Sequence, residues 1–142
     1  MQDDGFDLQR FVEAQHAVWP RVRGELAAGA KTSHWMWFVF PQLRGLGRSA
    51  TALHFGLASG GEAGAYWRHP LLGPRLKEGS QLVVAVAGRS ALQIFGPPDD
   101  LKFRSCMTLF EAVAPDEPVF ARALEKYFGG ERDARTLELL RR

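Results

Sequence analysis

The chain has 142 residues, 46% of them hydrophobic and 24% charged, with 18 basic against 16 acidic side chains and a single cysteine, Cys106. That length fits one folding unit of roughly 100–150 residues, and the composition excludes a disordered chain, which joins low hydrophobicity to high net charge. The lone cysteine excludes an internal disulfide framework and a cysteine-rich zinc site, while a formal charge of +2 with no run of more than two basic residues argues against nucleic acid as a partner.

Residues 1–6 are polar and acidic and read as a loose end, with a single domain expected over 7–142. Leu8, Phe11, Val12, the polar Gln15, Trp19, Val22 and Leu26 recur at spacings of three and four, one stripe of an amphipathic helix that Asp7 is placed to cap. Pro20 must kink or restart that helix, and Gly29 closes it. The run Trp35–Phe40 suits a buried strand by propensity and equally a short helix capped by Ser33 and ended before Pro41. Ser49 suits the cap of a short helix through Leu57, and Gly60-Gly61 read as a turn. Helical turns follow over Glu62–Trp67, stopped by His69-Pro70, then a helix carrying Leu72, Leu76, Gly79, Val83 and Val86. Its end, Leu82–Ala87, also passes for a strand. After the break at Gly96-Pro97-Pro98, Asp99 or Asp100 caps a helix bearing Leu101, Met107, Phe110 and Val113, and two last helices span about Pro118–Phe128 and Asp133–Leu140. The residue pattern alone leaves two folds open, all-α with six to eight helices or α+β with short strands at 35–40 and 82–87.

The N-terminus has no basic start and apolar segment of a secretory signal, and both long apolar runs fall far short of the ~18 residues a membrane helix needs. A soluble, cytoplasmic protein with no membrane partner is the expectation.

Two segments concentrate chemistry. In the first, Lys31, Ser33, His34 and Gln42 stand beside Trp35, Trp37, Phe38 and Phe40, the mixture of apolar walls and few polar groups that small-ligand sites use. The competing explanation is that the aromatics are core and the polar residues cap helix ends. In the second, Asp99, Lys102, Ser105 and Cys106 share a helical face, with Thr108 one turn on; an i, i+3 ion pair and a serine bonded back to a carbonyl explain them equally well. His34 is the acid–base candidate, His69 before a proline reads as a turn residue, and Cys106 as a buried apolar side chain. No histidines stand at i, i+4 and Gly45-Leu46-Gly47 lacks the third glycine of a dinucleotide fingerprint, so neither a metal nor a cofactor is expected.

Lys31-Thr-Ser-His-Trp-Met-Trp-Phe, Phe40-Pro-Gln-Leu, Gly45-Leu-Gly, His69-Pro-Leu-Leu-Gly-Pro-Arg-Leu76, Asp99-x-x-Lys102, Ser105-Cys-Met-Thr-Leu-Phe110, Tyr127-Phe-Gly and Asp133-x-x-Thr136-Leu together resemble a family of uncharacterised bacterial and fungal proteins. That family is a domain of unknown function often labelled "calpastatin" in genomes. The resemblance runs from about Asp7 to Leu140 and departs at Trp67, where an aliphatic residue is more usual. It implies a compact, mainly helical domain and no established reaction. The calpastatin label conflicts with the composition, because that inhibitor is disordered whereas this chain must bury a core.

Two functions fit. In the first, one pocket forms where the His34 segment meets the helix of Lys102, lined by Lys31, His34, Gln42, Arg75, Lys102 and Ser105. Trp35 or Trp37 is its wall, Asp99 orients Lys102, and an anionic ligand, nucleotide-like or phosphorylated, is bound or processed there. In the second, the chain is a non-catalytic protein-interaction domain with Trp19 or Trp67 facing solvent on an apolar patch.

Overall fold

The computed structural model describes residues 5–142, and among these it holds ten helices and no strand. The first stripe breaks into α1 (Gln9–His16) and α2 (Trp19–Ala28), with Pro20 in the opening turn of α2 and Gly29, at φ 69°, closing it. Pro20 therefore restarts the helix rather than bending it. Asp7 does not cap α1: Leu8 occupies that position without a side-chain bond. Phe6 packs against the core, and residues 1–4 of the expected loose end lie outside the described residues.

The ambiguous aromatic run is one helical turn, α3 (Met36–Val39), so the strand alternative fails there. Ser33 does not cap it, being bonded instead to a carboxylate of α2. The second suspected strand fails as well, since its first half is the last turn of α6 (Leu72–Ala85) and the backbone becomes extended only at Val86. Before α6, Ser49 caps α4 (Ala50–Phe55) and Ser59 caps α5 (Gly60–Arg68), which places Gly60-Gly61 inside a helix rather than in a turn. The short helix α7 (Ala91–Phe95) has no counterpart in the expected elements, although Ser90 and Gln93 form a reciprocal capping box that brings the count above eight. Next come α8 (Asp99–Val113), with Pro98 rather than an aspartate at its cap position, α9 (Pro118–Phe128) and α10 (Ala134–Leu140), capped by Asp133.

Helix α8 is the hub. It packs on α9, α5, α7 and α10, while α6 closes the far side against α9, α2 and α5. Phe103, Cys106, Met107 and Phe110 of α8 are fully buried, and Phe103 stacks on Phe95 at 4.8 Å and meets Phe40 edge-on at 5.1 Å. Burying each such side chain contributes about 1.5–3 kcal/mol. Phe40 thereby anchors the α3 turn to α8.

One long-range link sets the loop after α3. Arg44 N donates to Leu57 O at 2.7 Å and Leu57 N donates to Gln42 O at 3.0 Å, an isolated parallel bridge between Leu43 and Leu57. Gly56 makes it feasible, since a Cβ there would stand 2.7 Å from Ala52 O and 2.9 Å from Arg44 Cα. Among the described residues no helix is long and apolar enough to cross a membrane.

Candidate functional site

Glu25 of α2 is half-buried and organises the segment after it. Its Oε1 accepts from Thr32 N (2.8 Å), Ser33 N (3.1 Å) and the Trp35 indole (2.9 Å), and its Oε2 accepts from Ser33 Oγ (2.5 Å). Burial raises a carboxyl's pKa, but these four donors outweigh it and hold Glu25 at about 2. Ser33 and Trp35 are thus committed to this carboxylate, and Trp35, 1% exposed, is core.

Two residues on, Trp37 is half-buried and forms a wall. Lys102 Nζ lies 3.8 Å from its ring centroid, a cation–π contact. Lys102 also pairs with Asp99 Oδ1 at 3.2 Å, one helical turn back, while Lys31 Nζ reaches Asp99 Oδ2 at 2.9 Å. One carboxylate shared by two ammoniums leaves this triad with a net positive charge. Lys31 is drawn in by its backbone, whose N–H donates to Ile94 O at 2.8 Å and ties the segment to α7.

Beside Trp37 and Lys102 opens a cavity of about 290 Å³, lined also by Gln42, Leu46, Gly47, Pro98, Leu101, Ser105 and Asp133. Gln42 is 8% exposed as a residue, and its side-chain amide has no hydrogen-bond partner among the described residues while its polar atoms keep contact with solvent at the cavity. Ser105 Oγ donates to Asp133 Oδ2 at 3.0 Å and also reaches Leu101 O, and Asp133 N donates to Thr108 Oγ1 at 2.9 Å. Thr108 therefore supports the cavity through Asp133 rather than lining it.

The structure brings Lys31, Trp37, Gln42, Asp99, Lys102, Ser105 and Thr108 around one place. Ser33 and Trp35 sit behind it on Glu25. His34 is exposed, makes no polar contact among the described residues and does not line the cavity. Arg75 belongs to a separate network: it donates to Gln15 Oε1 at 3.3 Å and lies 5.4 Å over Trp19, while Gln15 Nε2 bonds Phe38 O and the Tyr66 hydroxyl. Glu25 and Asp133 escaped the sequence reading as partners. Asp133 carries an N-cap signal, whereas nothing local marks Glu25, whose partners lie seven to ten residues on, beyond the Gly29 turn.

Larger hollows exist, of about 600 Å³ between Lys77 and Arg122 and about 430 Å³ beside Trp67. Lys77 is already paired with Glu117, and neither hollow contains a buried polar side chain without a partner. Trp19 is buried, and Trp67 is half-buried, edge-on to Phe120 at 5.3 Å.

A family model described as "Protein of unknown function (DUF1810)" matches residues 5–140. Among solved structures, the chain is similar to the conserved hypothetical protein Rv1873 from Mycobacterium tuberculosis. The two share 55% identity over 98% of this chain and 99% of the other, with a TM-score of 0.96. Neither description mentions calpastatin. No curated protein shows a significant match to the chain.

Proposed function

The chain belongs to the DUF1810 family of proteins of unknown function, and since membership brings no reaction with it, we propose from the geometry that the Trp37–Lys102 cavity binds a small anionic, nucleotide-like ligand. The observation that carries this is Gln42. The residue is more than nine-tenths buried, and its amide, without a partner among the described residues, faces the cavity solvent and offers a donor and an acceptor side by side. A nucleobase edge presents the complementary pair, as glutamine's bidentate pairing with adenine shows. The base's π face suits Trp37, where stacking on an aromatic contributes about 1–3 kcal/mol.

Lys102 supplies the charge. It covers the Trp37 face in the free protein, and an entering ring displaces it toward the ligand's phosphate while Asp99, itself held by Lys31, keeps it tethered. At about 290 Å³ the cavity lies just below the roughly 300–1,000 Å³ typical of ligand sites, which favours a mononucleotide over a dinucleotide. Binding, rather than turnover, is what the lining accounts for: His34 stands outside it and Asp99 is engaged by two lysines.

The test is tryptophan fluorescence and thermal-shift titration with adenosine 5′-monophosphate, other 5′-mononucleotides and ribose 5-phosphate. Lys102→Met and Gln42→Leu should each weaken binding by about tenfold, the worth of one lost charged or bidentate contact, and Arg75→Met should not. Absence of any response to these compounds at millimolar concentration overturns the proposal.

A further inference from the structure

Asp133 presents its two oxygens unequally. Oδ2 accepts from Ser105 Oγ at 3.0 Å, from Thr136 N at 3.2 Å and from Thr136 Oγ1. Oδ1 accepts no hydrogen bond among the described residues and meets only Arg104 Nη2, at 3.9 Å. The residue is held firmly, its own N–H bonded to Thr108 Oγ1 at 2.9 Å and its side chain 15% exposed, and it lines the same cavity as the unpaired Gln42 amide. One oxygen thus caps α10, and the other, ion-paired with Arg104 at 3.9 Å, still has no hydrogen-bond donor of its own among the described residues.

The position matters as much as the atom. Ser105, which grips Asp133, lies one turn beyond Lys102 on α8, about 4.5 Å further along the axis. The cavity therefore has a cationic end at Lys102 and an acceptor end at Asp133. A carboxylate repels phosphate and accepts from hydroxyls, so the two ends suit different parts of one molecule. We infer that Asp133 Oδ1 reads a ribose hydroxyl, making the site selective for ribonucleotides over deoxyribonucleotides. This rests on the nucleotide reading of the cavity and extends it from charge to sugar identity.

The variant that isolates the free atom is Asp133→Asn. Asparagine caps helices as well as aspartate, so its carbonyl oxygen takes over the bonds from Ser105 and Thr136. Its amide nitrogen then replaces Oδ1, turning an acceptor into a donor without emptying the site. Far-ultraviolet circular dichroism and a cooperative melt verify that the variant folds.

The experiment titrates the full chain by calorimetry with adenosine 5′-monophosphate and its 2′-deoxy and 3′-deoxy analogues. Wild type should bind the ribonucleotide at least about tenfold more tightly than one of the deoxy forms, the scale of a charge-assisted hydrogen bond. Asp133→Asn should bring that ratio close to one, whereas Lys102→Met should weaken all three ligands in proportion. Equal binding of all three by wild type, or a ratio unchanged in Asp133→Asn, overturns the role of Asp133 and leaves the nucleotide site standing. No binding of any of the three by wild type overturns both.

Discussion

Glu25 offers the sharpest test of how the site is held. Replacing it with glutamine keeps the side chain's size and one carbonyl oxygen for Thr32 N, Ser33 N and the Trp35 indole, removes the charge, and puts a donating amide nitrogen where Oε2 accepted from Ser33 Oγ, as protonation of the carboxyl also does. Depression of the carboxyl from 4.5 to about 2 corresponds to about 3 kcal/mol for a fully shielded group at ~1.4 kcal/mol per unit. Glu25 is only half-buried, and solvent screening reduces this to about 1–2 kcal/mol. For a chain of this size that is a melting-temperature loss of roughly 5 °C at pH 7. The sign follows from linkage: with the folded-state value below the unfolded one, the stabilisation is complete above pH 4.5 and is lost as pH falls toward 2. Melting curves of wild type and Glu25→Gln followed by circular dichroism from pH 7 to 2.5 should therefore differ at neutral pH and converge below 4.5. Glu25→Ala should cost about 3 kcal/mol, because it leaves the Trp35 indole and two backbone N–H groups unpaired. A gap between wild type and Glu25→Gln that is absent at pH 7, or constant down to pH 2.5, refutes the reasoning.

Other consequences are simpler to read. Cys106 is fully buried and its thiol is pushed well above the usual range by burial, so Ellman's reagent should label nothing in the native protein and one thiol after denaturation; rapid native labelling contradicts this packing. A Cβ at Gly73 would stand 2.0 Å from Trp67 O, so Gly73→Ala should destabilise by about 3 kcal/mol or more, and a denaturant midpoint like wild type's would contradict this close approach at the α5–α6 corner. His69 Nδ1 accepts from Leu71 N and Leu72 N at 3.1 and 3.3 Å, and burial holds its pKa below 6.5. Its contribution to stability is thus complete above pH 6.5 and declines as pH drops through the folded-state value. Proton NMR should find its imidazole titrating below 6.5, and a midpoint at or above that value would be inconsistent with the turn.

Local chemistry made most of the helices readable. Pro20 opens α2, Gly29 closes it, Pro115 follows the end of α8 and Gly129, at φ 61°, closes α9, because a missing N–H or a left-handed φ acts on the nearest residues alone. Ser49 and Asp133 cap for the same local reason. The α7 helix was missed although Ser90 and Gln93 spell out a capping box, since five residues are too few to show a period. Trp35 and Trp37 were inseparable by type. They lie two residues apart and so project in different directions, one onto Glu25 and into the core, the other to the cavity wall beside Lys102.

Amino-acid order marked most helices, their principal breaks and the two stretches that hold polar groups among aromatics, and left helix and strand open at 35–40 and 82–87 until the structure decided for helix. Folding in three dimensions chose which of those groups meet. Asp99 gathers Lys31 from 68 positions away in the chain, Asp133 turns one oxygen to Ser105 and the other toward Arg104, and Gln42 is carried into place by a bridge to Leu57. Helix signals act over a few bonds and leave their mark in neighbouring residues. Convergence depends on the phase and packing of α8 against α3, α7 and α10, which no window of sequence contains.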